Sequence, residues 1–339
     1  MPPSVGATFQ TLVTTNAPHD AVFKAVFEQP EHAAAELQHV LSADLVAAID
    51  WSSLALEPGS FVDEDLADQH SDLLFSASAT ASGEKVLVYL LFEHQSSNDP
   101  KMALRLLRYM VRIWDRFAQT HPAEPLPLIV PAVLAQVPGG WSSPTRFSEL
   151  FSPELGDLGR AVLPDFSFAV DDLHRTTDDE LRRRALADQA KLTLWLMRDA
   201  RDGAALLQGM ADWAETLEAL GRSPGGVDAL GRLLRYIVLV SDDLQLAQIR
   251  DMLKVRAPAA EALTMTIAEQ LRAEGRTEGR TEGRAEGTAK SVLMIMGARG
   301  LHVGDAARQR IEACSDVEML EHWLVRAATA ASAEDIFEA

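Results

Sequence analysis

Three polar side chains stand at the ends of two neighbouring segments whose patterns predict β-strands. Asp72 begins the segment DLLFSA. Glu93 comes directly after the segment KVLVYLLF, and Gln95 stands two residues further on. Residues two apart on a strand point to the same face, so Glu93 and Gln95 project together and His94 projects to the opposite side. These polar residues occupy positions where a strand would otherwise carry apolar ones.

A turn at Ser82-Gly83 would join the two strands into an antiparallel hairpin, with position 72 paired to about position 93. Asp72 and Glu93 are then neighbours, and two carboxylates on one surface repel each other. A divalent cation between them removes this repulsion and creates a Lewis-acid site that suits phosphodiester hydrolysis. Mg²⁺ fits because it takes oxygen ligands and keeps several waters, with Ca²⁺ or Mn²⁺ as alternatives.

A purely structural interpretation has equal support from spacing alone. In that interpretation Asp72 caps the edge of a strand, and Glu93 only marks the point where the next strand reaches the surface. An acid and a second polar residue at a strand end are common in proteins without any site. The strand ends must therefore be weighed together with the helix that comes next in the chain.

A basic stripe comes directly after the second strand. Five cations are spaced by four, three, four and four residues, which places them on one helical face: Lys101, Arg105, Arg108, Arg112 and Arg116. Five apolar residues occupy another face: Ala103, Leu106, Met110, Ile113 and Phe117. The helix can therefore pack with its cations outward. Such a row suits contact with a phosphodiester backbone, and a solvated helix face is the structural alternative.

These residues must be positioned by a small set of predicted elements. Helices are predicted over 20–28, 31–41, 102–119, 180–199 and 227–240, and strands over 72–77, 85–92 and 126–137. The first 150 residues therefore indicate a mixed α/β fold, and the later part of the chain indicates a mainly helical one.

Four segments of the chain resemble the Rpn family of recombination-promoting nucleases, also described as YhgA-like transposases. They are PHDAVFKAVFE at 18–28, SFVDEDL and HSDLLF within 60–75, YLLFEHQSSNDPKMALRLLRYMVRIW at 89–114 and PAVLAQVPGGW at 131–141. The EHQS block followed by MALRLLRYM is the most specific part. The resemblance spans about residues 15–270. It implies a restriction-endonuclease-like αβββαβ core of the PD-(D/E)xK superfamily and metal-dependent cleavage of DNA.

The resemblance also implies roles for single residues. Asp72 resembles the second-strand acid, and Glu93 and Gln95 resemble an E-x-Q variant of the usual (D/E)-x-K motif. Asp20, on the first predicted helix, matches the acid that the wider superfamily places there. The expected catalytic residues are thus Asp20, Asp72, Glu93 and Gln95, with Asp72 and Glu93 as ligands of Mg²⁺ and the basic stripe as the contact with DNA.

Two positions depart from the pattern of this superfamily and family. The superfamily usually has lysine where this chain has Gln95, and an amide can hydrogen-bond but cannot supply a positive charge. Family members often carry a Tyr-His pair where this chain has Ala135-Gln136. The first departure favours an alternative function, a DNA-binding or assembly protein that keeps the nuclease fold with weak or no catalysis. Retention of both Asp72 and Glu93 favours the endonuclease.

Composition and charge limit the class of protein. The 339 residues are 47% hydrophobic, which suffices for a core, and the single Cys314 excludes an intrachain disulfide and a multi-cysteine zinc site. The formal net charge of -19 argues against a protein that coats nucleic acid, although a local basic face and a metal can still hold phosphate. Neither a secretory signal nor a membrane span is predicted, so a cytoplasmic location is expected.

Four segments are predicted along the chain. The nuclease core covers 15–160, a helical extension covers 161–271, a Glu-Gly-Arg repeat covers 272–287 and a small helical segment covers 288–339. Each glycine of the repeat weakens a helix by about 1 kcal/mol relative to alanine, but it also lets another helix approach closely. The repeat is therefore either a flexible linker or an association helix through which the chain forms a homo-oligomer.

Overall fold

The computed structural model describes residues 18–58, 73–80, 87–152, 162–241, 248, 251, 253–254, 284–285, 287–301, 303–314, 316–330 and 332–337. These residues fall into two compact units, one within Met1–Thr264 and one within Met265–Ala339. The first unit combines helices with a sheet, so the predicted α/β class is confirmed.

The first unit is built on a five-stranded sheet. Helices α1 (Pro18–Phe27), α2 (Pro30–Val40) and α3 (Ala43–Ala48) precede it. Its strands are β1 (Ile49–Leu56), β2 (Leu73–Ala79), β3 (Leu87–Gln95), β4 (Leu128–Ala135) and β5 (Ala169–Asp172), in that spatial order. The pairs β1–β2 and β2–β3 are antiparallel, whereas β3–β4 and β4–β5 are parallel. Because parallel neighbours need a crossover, helix α4 (Met102–Thr120) connects β3 to β4.

Burial explains why β4 and α4 form where they do. Every residue of β4 except Leu128 is buried, as expected of a central parallel strand covered on both faces. All five apolar residues predicted for the inner face of α4 are buried against this part of the sheet. The predicted strand 126–137 and helix 102–119 thus differ from the structure only at their ends.

Within the described residues 178–240, five helices come after the sheet: α5 (Asp178–Arg183), α6 (Asp188–Asp199), α7 (Gly203–Gly209), α8 (Ala214–Arg222) and α9 (Gly226–Val240). The single helix predicted over 180–199 is wrong, because the chain leaves the helical conformation after Arg183. Arg184 ends α5 in an extended conformation, and its side chain points into the protein toward two buried acids. A tertiary ion pair here outweighs the local preference for a continuous helix.

The second unit is helical in its described parts. A helical stretch at 287–298, α10 (Asp305–Glu312) and α11 (Val317–Ala327) pack around a core that includes Val292, Ile311 and Trp323. Of the repeat at 272–287 the structure describes only 284, 285 and 287, so its two interpretations stay predictions. Within the described parts of the chain, none of the helices combines the length and apolar character that crossing a membrane requires.

A buried ion cluster joins α2 to β5. Arg184 donates to Asp171 through both terminal nitrogens, at 2.6 and 2.8 Å, and to Glu36 at 2.9 Å. Burial, followed by the nearby charge of Asp171, raises the pKa of Glu36 well above its usual value. Burial opposes ionisation of Asp171 too, but its hydrogen bonds with Arg184 and Glu36 outweigh that effect and lower its pKa. These opposite shifts favour a protonated Glu36 beside an ionised Asp171 and the Arg184 cation.

The raised pKa of Glu36 can be tested by measuring how the stability of the protein depends on pH. Because the fold raises the pKa of Glu36 above its ordinary value of 4.5, the unfolded chain releases this proton first, and stability falls as pH rises from 4.5 towards the raised pKa of the folded protein. Glu36→Gln imitates the protonated acid and should remove this part of the pH dependence, whereas Arg184→Met should destabilise by roughly 3–5 kcal/mol. Urea unfolding between about pH 5 and pH 8 measures both effects.

The control for this test is Glu31→Gln, which removes an exposed acid from the same helix α2. That variant should show the pH dependence of the unaltered protein. An unchanged pH dependence of stability in Glu36→Gln would show that Glu36 does not hold a proton in the fold.

Candidate functional site

The candidate site lies at one edge of the sheet. Strands β3, β4 and β5 run parallel, so their carboxyl ends and the loops after them meet at the same edge. A cavity of about 380 Å³ opens there, lined by Asp20 from α1, by His94 and Gln95 from β3, by residues 96–100 and by Arg105 from α4. Crevices at the carboxyl ends of parallel strands are the usual ligand sites of such sheets.

Asp20 reaches this cavity and is held there by His94. The Oδ1 atom of Asp20 lies 2.8 Å from Nδ1 of His94, whose side chain is only 1% exposed. Phe23, one turn further along α1, stacks on the imidazole ring with a centroid distance of 5.7 Å. The structure thus brings together two residues that are 74 positions apart in the sequence, and it orients the carboxylate of Asp20 at the cavity.

Gln95 also lines the cavity, at the end of β3. It is buried, and its Nε2 atom donates to the backbone oxygen of His94 at 2.8 Å. The backbone of Glu93 pairs with Val133 in the parallel part of the sheet. Asp72 lies outside the described residues, and Glu93 is described through its backbone, so their proximity stays a prediction.

The described acids at the cavity do not by themselves make a metal site. Asp20 is engaged by His94, and Asp99 forms an ion pair with Arg105 at 3.3 Å. No group of three or more His, Cys, Asp or Glu side chains within the described ranges is arranged to hold a metal ion. The expected ligands Asp72 and Glu93 therefore stay predictions.

The basic stripe on α4 is only partly exposed. Lys101 and Arg108 are exposed, whereas Arg112 and Arg116 are half-buried. Arg105 is the clearest departure from the expectation that all five cations face outward, because its side chain is 18% exposed and lies at the cavity beside Asp99. Arg105, in the first turn of α4, therefore faces the cavity, and only part of the stripe faces solvent.

The loop between β3 and α4 is locked to the loop after β4. The side chain of Asn98 donates to the backbone oxygen of Gly140 at 3.2 Å and accepts from the backbone nitrogen of Ser142 at 2.8 Å. Asp99 accepts from the backbone nitrogen of Lys101 at 2.8 Å, just before the first turn of α4. These contacts tie residues 98 and 99, which line the cavity, to the loop after β4 and to the start of α4.

A buried hydrogen-bond network behind the cavity was not predicted from the sequence. Nε2 of His94 lies 3.1 Å from Oε1 of Gln136, and the amide nitrogen of Gln136 donates to the backbone oxygen of Met197. The same nitrogen lies 3.3 Å from Nδ1 of His19, which is 2.6 Å from the hydroxyl of Tyr236. We name these four side chains, His19, His94, Gln136 and Tyr236, the buried network.

Some of the network could have been suspected from the sequence. His19 and Asp20 stand together in the PHDAVF segment, and His94 separates Glu93 from Gln95. The sequence predicted only that His94 projects away from Glu93 and Gln95; in the structure its side chain is buried between Asp20 and Gln136. No local pattern marks Tyr236, which lies in α9 and is 217 residues from His19.

Comparison with known proteins assigns this chain to a family. Residues 17–225 match the family described as "Putative transposase, YhgA-like". The recombination-promoting nuclease RpnD of Escherichia coli O157:H7 is 33% identical over 265 residues, covering 77% of this chain and 96% of that protein. The chain belongs to this family, and the resemblance seen in the sequence is confirmed.

Two further relatives differ in the activity that their names state. The recombination-promoting nuclease RpnA of Escherichia coli K12 is 31% identical over 266 residues, covering 77% of this chain and 85% of that protein. The inactive recombination-promoting nuclease-like protein RpnE of the same strain is 33% identical over 264 residues, covering 77% and 84%. The relatives named as nucleases and the relative named inactive are therefore about equally identical in sequence to this chain. No solved structure matches this chain significantly.

The buried network predicts an unusual titration of His19. Burial first, and the charge of Arg201 second, lower its pKa from 6.5 to about 3. The unfolded chain takes up a proton on this histidine below 6.5 that the folded chain does not, so this contribution to stability is lost as pH falls below 6.5. NMR of the imidazole nitrogens should show a neutral ring at about pH 5, where an ordinary histidine is mostly protonated.

The His19 resonance is assigned by its disappearance in His19→Gln. A His19 ring that becomes protonated between about pH 7 and pH 5 would contradict the neutral ring.

Proposed function

We propose that this chain is a metal-dependent DNA endonuclease with a restriction-endonuclease-like core. From α3 to β4 the elements run in the order helix, three antiparallel strands, helix and parallel strand. That order matches the αβββαβ order expected from the resemblance. RpnD and RpnA, which match this chain over most of their own length, are named recombination-promoting nucleases. Their names support DNA as the substrate.

The observation that carries the proposal is the register between β2 and β3. Leu73 pairs with Phe92 in the antiparallel ladder. Continuing that register by one residue in each direction would bring position 72 beside Glu93. This supports the hairpin geometry from which a two-carboxylate site was predicted, and it does so independently of the family motif.

Under this proposal Asp72 and Glu93 hold Mg²⁺, with Ca²⁺ or Mn²⁺ as alternatives. The bound ion would supply a Lewis acid for phosphodiester hydrolysis. Gln95, whose amide nitrogen donates to the oxygen of His94, also carries a carbonyl oxygen, the kind of group that accepts a hydrogen bond from water. Asp20, fixed by His94 at the same cavity, presents a second acceptor there.

The same proposal assigns DNA contact to the basic stripe of α4. Lys101 directly precedes α4 and follows Pro100 of the cavity wall, and Arg108 lies further along the helix; both side chains are exposed. Arg105 lies at the cavity itself, so it would meet a phosphate close to the reacting one. Arg112 and Arg116 lie further along the helix and are half-buried, which suits contact with flanking backbone.

A second candidate function is a DNA-binding or assembly protein of the same fold that does not cleave. Gln95 in place of the usual lysine favours it, because an amide supplies no positive charge to an attacking water. A relative of equal identity that is named inactive also favours it. The two candidates share the DNA contact and differ only at the carboxylates.

Glu93→Gln tests the chemistry directly. The unaltered protein should convert supercoiled plasmid to nicked or linear DNA in the presence of Mg²⁺ or Mn²⁺ and not in EDTA. Glu93→Gln and Asp72→Asn should lose detectable cleavage because each removes a charged ligand, and both should bind DNA as before. Agarose gels of matched time courses measure this, with Glu31→Gln as a control that removes one exposed acid elsewhere.

Folded, unaltered protein that leaves the plasmid supercoiled with Mg²⁺, Mn²⁺ and Ca²⁺ would favour the second candidate. Cleavage that survives in Glu93→Gln would remove Glu93 from the site.

Arg108→Gln tests the DNA contact. If Arg108 holds a backbone phosphate, its loss should lower affinity about equally for all sequences and reduce the slope of log affinity against log salt by about 0.9. Arg222→Gln is the matched control, since Arg222 is an exposed arginine that is paired with Glu218 at 2.6 Å. A salt slope that is equal in the two variants would leave α4 without a role in DNA binding.

A further inference from the structure

A second cavity, of about 340 Å³, opens at the same edge of the sheet beyond the ends of β4 and β5. Its lining includes His174, Arg198, Arg201 and Asp202 together with Gln136 of the buried network. Exposed Arg201 lies just past the end of α6, and exposed His174 lies in the short turn after β5. Arg201 and His174 therefore both bring N–H donors to this cavity.

Arg201 is held by a neutral partner. Its Nε and one terminal nitrogen converge on Nε2 of His19, at 3.1 and 2.7 Å. A guanidinium only donates hydrogen bonds, so Nε2 of His19 must accept them and cannot carry a proton. The remaining ring nitrogen of His19 lies 2.6 Å from the hydroxyl of buried Tyr236. The lowered pKa of His19 agrees with an uncharged ring.

This arrangement orients Arg201 without neutralising it. The neighbouring arginines of this unit are paired with acids: Arg198 contacts Asp178 and Asp199, and Arg184 contacts Asp171 and Glu36. Within the described ranges no carboxylate forms an ion pair with Arg201. The side chain of its neighbour Asp202 instead accepts from two backbone nitrogens at the start of α7, each at 3.0 Å.

We propose that Arg201 and His174 form a phosphate-binding site in the second cavity, with His19 as the residue that positions Arg201. A fixed guanidinium that keeps its full charge suits the planar, two-point contact that arginine makes with phosphate. The N–H groups of the two terminal nitrogens of Arg201 that are not bonded to His19, together with the ring of His174, supply the donors.

The phosphate belongs to the DNA strand, which is the part of the inference that rests on the proposed function. His19 and Asp20 are consecutive in α1, and they serve the second and the first cavity respectively. His94 and Gln136 connect the two sides through the buried network. A DNA strand lying along this edge of the sheet would therefore meet the acids at the first cavity and Arg201 at the second.

Inorganic phosphate is the first probe, because its binding does not depend on cleavage. Phosphate should raise the melting temperature of the unaltered full-length protein and of the control Arg222→Gln. Arg201→Gln should bind phosphate at least about tenfold more weakly, and Arg201→Lys should fall between them because it keeps the charge but loses the planar fork. Thermal shift and isothermal titration at constant ionic strength measure these affinities.

DNA binding in EDTA is the second probe and identifies the source of the phosphate. Arg201→Gln should reduce the salt slope of DNA affinity by about 0.9, and Arg222→Gln should leave it unchanged. Phosphate binding that depends on Arg201 with an unchanged DNA slope would overturn the assignment to DNA and leave a site for a smaller phosphate compound.

Folded Arg201→Gln that loses stability at the end of α6 but shows unchanged phosphate affinity and salt slope would overturn the site altogether, since Arg201 would then only stabilise the helix terminus. Absence of plasmid cleavage by the unaltered protein would count against the nuclease and would leave both binding results standing.

Discussion

The parallel pairing of β3 with β4 is the constraint on which the rest of the site depends. It places Gln95 opposite Ala135 and lets the backbone nitrogen of Gln136 donate to the oxygen of Gln95 at 2.7 Å. The ends of both strands are thereby fixed at one edge, with the side chains of His94 and Gln136 in contact. A shift of one residue in this register would turn each of these side chains to the other face of the sheet.

Two consecutive residues of helix α1, His19 and Asp20, contact side chains at this edge of the sheet. Neighbours on a helix point in directions about 100° apart, so His19 and Asp20 can serve different cavities from one turn. Asp20 contacts His94 and faces the first cavity, while His19 contacts Tyr236 and Arg201 beside the second. The buried network therefore acts as a common support for both cavities.

Arg184, Arg198 and Arg201 have two different kinds of hydrogen-bond partner. Arg184 and Arg198 are matched with carboxylates, and such pairs hold elements together because removal of one partner leaves an uncompensated buried charge. Arg201 is matched with a neutral histidine, which directs the guanidinium but leaves its charge available. The choice of partner separates a structural arginine from one suited to binding an anion.

Signals between near neighbours in the sequence were enough to predict the local elements and the family. The apolar run of β3, the 3.6-residue pattern of α4 and the EHQS block predicted a strand, a helix and a polar strand end. Which distant side chains meet is set by the folded chain instead: Asp20 with His94, His19 with Tyr236, and Arg184 with Glu36. The fold also ends α5 at Arg183 and leaves Arg105 mostly buried. Such contacts arise from packing across the sheet, and no short-range periodicity encodes them.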